Sequence, residues 1–173
     1  TRILNQPSTS TSQVRGRNYE EVRTISLIRV MLLTIFILGS AGSGAELLLL
    51  NHFESLLQWI PLLLLLLSFV ILGWHLVGGT PASTRAIQGA MIAFIAAGLA
   101  GFYFHYQGSA EFKLESNPSL AGWRLFWEAI RGKAPPTLAP GVMIQLGLIG
   151  LAYSYRHPTL LASTKTELKD RGE

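Results

Sequence analysis

Glu46, His52, Glu54 and His105 are the side chains whose types could do chemistry together. Carboxylates and imidazoles are the ligand set of zinc and non-haem iron, and the first three lie close to one another in the chain. Gln58 follows Glu54 at a spacing that shares one face of a helix. Convergence of the four would make a metal site. No H-E-x-x-H or comparable motif is present, so the plainer expectation is a polar network that closes a short connection between two helices. Glu46 is the informative member, because a carboxylate at the end of an apolar run needs a partner.

His75 and His105 are each candidates for cofactor binding, as a single axial ligand to a chlorophyll-type pigment. His75 and His157 lie toward one level of the chain, and His52 and His105 toward the other. Two histidines at each level is what a two-haem bundle requires, but His52 and His157 fall outside their helices. A quinone or other peripheral ligand is a further option for the outer cluster.

Other chemistry is excluded by what the chain lacks. With no cysteine, disulfides, iron–sulfur clusters and thiol catalysis are ruled out. No glycine-rich phosphate loop with a following lysine occurs, and Ser109 does not sit in a nucleophile elbow. Gly78-Gly79-Thr80-Pro81 reads as a turn between helices. The expectation is a protein that is not an enzyme.

The elements that must position these side chains are membrane helices. Charged residues make up 14% of the 173 and hydrophobic residues 49%, against about a quarter charged in soluble domains. The net charge of +4 does not therefore point to nucleic acid. Four apolar stretches, 30–50, 56–77, 86–106 and 138–155, are predicted to cross a bilayer. A helix needs about 20 residues to do so, and the last stretch is the shortest. The first starts too far from the N-terminus, and runs too directly into Leu47–Leu50, to be expected as a cleaved signal peptide.

Outside these stretches lie a polar extension at 1–23, a loop at 107–137 and a polar tail at 158–173, around a transmembrane domain at 24–157. The leader to Tyr19 has almost no apolar periodicity, and alone should be disordered, or ordered only against a partner. In the loop, Asn117-Pro118 reads as a helix start. Leu120, Trp123, Trp127 and Ile130 then form an apolar stripe with Phe126 beside it, the pattern of a short amphipathic helix at the membrane interface. Glu111–Glu115 alternates charged and apolar residues and is expected to be an irregular loop or a short extended segment.

Small residues supply packing faces where lipid offers no hydrophobic driving force. Gly89, Ala93, Ala97 and Gly101 line the third stretch, Gly39 to Gly44 the first, and Gly147 and Gly150 the fourth. A bundle centred on the third helix follows. With both termini on one side, that side carries most of the Lys and Arg residues, which places both termini in the cytoplasm.

The sequence therefore predicts an all-α polytopic membrane protein with four transmembrane helices plus a short interfacial amphipathic helix, in a bacterial-type inner membrane. Its expected role is a non-catalytic accessory subunit of a larger membrane complex, of an energy-transducing or photosynthetic kind. Its expected partners are other integral membrane subunits and lipids, with anionic headgroups at the cytoplasmic face. The alternatives are a small membrane protein that binds a metal, haem or pigment through its outer His and Glu residues, and a small oligomeric transporter.

Overall fold

The computed structural model describes residues 9–132 and 138–162. Among them the ordered elements are all helices: α1 (Thr9–Leu49), α2 (Leu56–Gly78), α3 (Pro81–Ser116), α4 (Gly122–Ile130) and α5 (Gly141–Ser154). The chain is a membrane protein by the length and composition of α1, α2 and α3, each of which is apolar and long enough to cross a bilayer. α5 has 14 residues and at ~1.5 Å per residue extends for only about 21 Å.

Local sequence sets the helix ends. Asn51 takes φ +52° at the turn after α1, a left-handed conformation that asparagine tolerates. Gln58 Oε1 then accepts from the backbone N–H groups of Glu54 at 2.8 Å and Ser55 at 3.1 Å, covering donors at the start of α2 that have no intrahelical partner. Gly79, at φ +51°, ends α2 with its N–H on His75 O at 2.8 Å. Thr80 opens α3, its hydroxyl accepting from Ser83 N at 3.2 Å, with Pro81 at the first helical position.

Antiparallel α3 and α5 form the closest pair, and glycine is the reason. A Cβ on Gly98 would stand 2.6 Å from Ile144 and 3.0 Å from the Pro140 carbonyl oxygen, and one on Gly147 only 2.7 Å from the Met91 carbonyl oxygen. α1 and α2 complete an up-down-up-down bundle around Phe36, Leu65, Ile87, Met91, Phe94 and Leu146. The expected centring on the third helix holds. The face that does the packing runs through Gly98 and Gly101, whereas Gly89 has open space over it.

Four expectations are corrected. The leader is helical from Thr9 onward, continuous with the apolar part of α1. Glu111–Glu115 is neither extended nor irregular but lies in α3, which runs on to Ser116. There a charged–apolar alternation is too short to outweigh propagation of an established helix. Asn117 ends α3 instead of starting a new helix, and Pro118 follows as a residue that cannot continue one. The amphipathic helix starts four positions later, at Gly122.

Candidate functional site

The predicted outer cluster comes together only in part. His52, in the α1–α2 connection, and His105, on α3, approach to 6.2 Å between ring centroids. Both are half-buried. Burial and the neighbouring His105 push the His52 imidazole below its ordinary range. Glu46, in the last turns of α1, and Glu54, ahead of α2, are exposed. Among the described residues no three His, Asp or Glu side chains form a group that could hold a metal ion. Gln58 serves the helix connection, as described above.

The opposite end of the bundle holds a denser polar centre, built from four helices and the turn after α5. Arg29 on α1 donates through Nη2 to the carbonyl oxygens of Arg156 at 3.0 Å and Tyr155 at 3.4 Å. Arg156 has φ +45°, which turns the chain back across the bundle and brings His157 to His75 on α2, 4.9 Å between centroids and edge to face. Tyr153 on α5 touches both rings, at 6.1 and 5.6 Å. His75 is 5% exposed.

Hydroxyl groups hold both imidazoles through Nδ1. Ser83 Oγ donates to the Thr80 carbonyl oxygen at 2.8 Å and accepts from Thr80 N at 3.1 Å. Its single proton is thereby used, so His75 Nδ1, at 2.9 Å, is the donor to it. Thr84 Oγ1 likewise lies 3.2 Å from the Thr80 carbonyl oxygen and shares a hydrogen bond of 2.7 Å with Thr159 Oγ1. His157 Nδ1 is 2.9 Å from Thr159 Oγ1, and the Thr159 backbone N–H approaches the same nitrogen at 3.5 Å, the weakest contact of the set.

His75 is thus tied to Ser83 through Nδ1 and flanked by the rings of Tyr153 and His157. The interior cavity beside this centre, lined by residues including Phe36, Ser68, Leu72, Met91 and Tyr153, has about 20 Å³, close to the room one water needs. Sequence reasoning put His75 and His157 at one level of the chain but missed their contact. The available signal was the cluster of hydroxyl residues Thr80, Ser83, Thr84 and Thr159 at that level.

Beyond the His52 end, α4 folds back on α3 and forms an aromatic layer. Trp123 stacks on Phe126 and Trp127 at 5.0 and 5.8 Å, and Phe126 meets Tyr106 at 5.8 Å. Arg131 stands 4.9 Å over the Trp127 ring. Phe102, Tyr103, Tyr106, Phe126, Ile130 and Leu138 line an open apolar groove of about 350 Å³.

No family model matches the chain, and no curated protein or solved structure matches it either.

Proposed function

We propose that this chain is a non-catalytic accessory subunit of a larger membrane protein complex, in a bacterial-type inner membrane with both termini in the cytoplasm. In this reading α5 is the fourth crossing, completed by the turns that flank it, and α4 lies at the outer interface. The observation that carries the proposal is how little the long helices bury among themselves. Only 11%, 22% and 28% of the apolar windows of α1, α2 and α3 is buried within the chain. The polar stretch of α1 before Arg29 is exposed throughout its described side chains. A polar helix of that length is marginal in water alone, and a partner subunit would support it. The excess of Lys and Arg at the Arg29 end supports the orientation.

Extraction in mild detergent followed by native electrophoresis tests the assignment. Co-migration with other integral membrane proteins is expected, and migration as a lone monomer with lipid retained would overturn it. A second reading, a metal or pigment bound at the outer side, draws on the approach of His52 to His105. Metal analysis and an absorption spectrum of the mildly purified protein separate the two: a bound species lost in His52→Asn favours the second.

A further inference from the structure

We propose that the segment from Tyr155 to Ala162 is a pH-sensitive clasp, held across the Arg29 end of the bundle by neutral His157 and released when that imidazole is protonated. The segment reverses direction at Arg156 and forms a helical turn over 158–162. What holds it is specific: Arg29 on two of its carbonyls, the Thr159–Thr84 hydroxyl pair, and the contact of His157 with His75 and Tyr153.

Each element packed against His157 presents a group that matters to its charge. α1 presents Arg29, a permanent cation. α2 presents His75, a second imidazole. α5 presents Tyr153, neutral in this pH range. α3 presents the hydroxyl of Thr84, with Ser83 behind His75. Arg156 is the adjacent cation on the segment itself. Among the described residues no carboxylate forms an ion pair at this end. A proton on His157 therefore meets the fixed charges of Arg29 and Arg156 and a second imidazole, and among the described residues no anion pairs with it. Burial, then His75, then Arg29 push the His157 pKa below its ordinary range, in agreement with this arrangement.

The sign follows. Once released, His157 regains an ordinary pKa of about 6.5 and binds a proton more readily than when docked. Docking is at full strength above that value and weakens as pH falls from it toward the lowered docked value. For each unit by which docking lowers the pKa, the open-to-closed ratio rises about tenfold across the window.

The absence of cysteine from the chain permits a clean probe: a spin label on Leu161→Cys in the full-length protein in lipid nanodiscs, read at about pH 8 and about pH 5. The label is expected to be restricted at the higher pH and mobile at the lower, reversibly. Equal restriction at both would overturn the proposal. His157→Asn, which keeps a hydrogen-bonding atom near the Nδ1 position, is expected to abolish the pH response. Persistence of the full response in that variant would assign it elsewhere and defeat the idea. Should His157→Asn release the segment at every pH, His75→Asn decides. Removal of the second imidazole relieves repulsion in the docked state, so it must move the release midpoint downward and shrink the response, and an unchanged profile rejects the mechanism.

Discussion

Arg29 Nη2 lies 3.0 Å from the carbonyl oxygen of Arg156, so a cation on α1 closes the turn that follows α5. The carbonyls of such a turn have no regular helical partner. A guanidinium supplies donors to two of them and ties α1 to the end of α5. Arg29→Met keeps the aliphatic stem and removes the donors. It should cost at most about 1.5–3 kcal/mol, the range for hydrogen bonds to charged groups, with the lower part expected because the site is partly open to solvent. Arg29→Lys should recover part of the loss. Thermal unfolding in detergent measures both, and an unchanged midpoint in Arg29→Met would show that the contact is idle.

The glycines of the α3–α5 seam should separate sharply by position. A Cβ on Gly147 would be 2.7 Å from the Met91 backbone oxygen, and one on Gly98 would be 3.0 Å from both Ile144 N and Pro140 O. Backbone atoms cannot yield as a side-chain tip can, so the two helices must move apart. Gly147→Ala and Gly98→Ala are each expected to cost about 1–3 kcal/mol. At Gly150 the obstacle is the flexible Met91 side chain, which can swing aside, and a smaller loss follows. Gly42 and Gly89 have nothing within 4 Å, and alanine there should be neutral or slightly stabilising. Comparable losses at all five positions would refute a seam built on close backbone approach.

The apolar stretches were legible because lipid demands long runs without charge, and runs of that length stand out against any soluble background. Helix ends beyond the lipid were less so. The extensions of α1 to Thr9 and of α3 to Ser116 consist of mixed polar sequence, where a helix continues because it has already been nucleated. Asn117-Pro118 has the composition of a start and the position of a stop, since the same residues suit both sides of a helix boundary. The His75–His157 contact depends on the left-handed turn at Arg156, a residue type that gives no hint of φ +45°. Levels could be read, but partners across the bundle could not.

Ser40 on α1 is fully buried, and among the described residues its Oγ has no hydrogen-bond partner. A hydroxyl taken out of contact with water and left unpaired is a cost to the fold. Ser40→Ala removes that cost and barely changes the volume. It should leave stability unchanged or raise it by up to about 1 kcal/mol. Ser68, equally buried, donates to Leu65 O at 2.7 Å and should not gain from the same substitution. A drop in thermal midpoint for Ser40→Ala would mean that this hydroxyl is hydrogen-bonded after all, as to a buried water.

Lys113 and Glu128 form the ion pair that links α3 to α4, at 3.5 Å and with both side chains partly exposed. Exposed pairs contribute about 0–1 kcal/mol, so Lys113→Ala should hardly move the unfolding midpoint. Ala129 is the residue that seats α4: it is wholly buried, and Ser109 and Ala110, on the facing stretch of α3, are also buried. Ala129→Leu has no room and should lift α4 away, seen as a rise in Trp123 and Trp127 quenching by a water-soluble quencher. The reverse ranking, with Lys113→Ala the more disruptive, would show that electrostatics and not packing docks this helix.

At the other turn of the bundle His52 gives a second pH dependence whose direction is fixed by its surroundings. Burial and His105 hold its imidazole below the ordinary value, so the unfolded connection takes up a proton before the folded one does. The α1–α2 connection is accordingly most stable above about pH 6.5 and loses stability as pH falls from there toward the lowered folded value. His52→Asn should flatten this slope in thermal unfolding followed from about pH 8 to about pH 5. His105→Asn removes only the neighbouring imidazole and should leave the desolvation part, reducing the slope without abolishing it. If His105→Asn flattened the profile as fully as His52→Asn, repulsion between the two rings, and not burial of His52, would be the dominant cause.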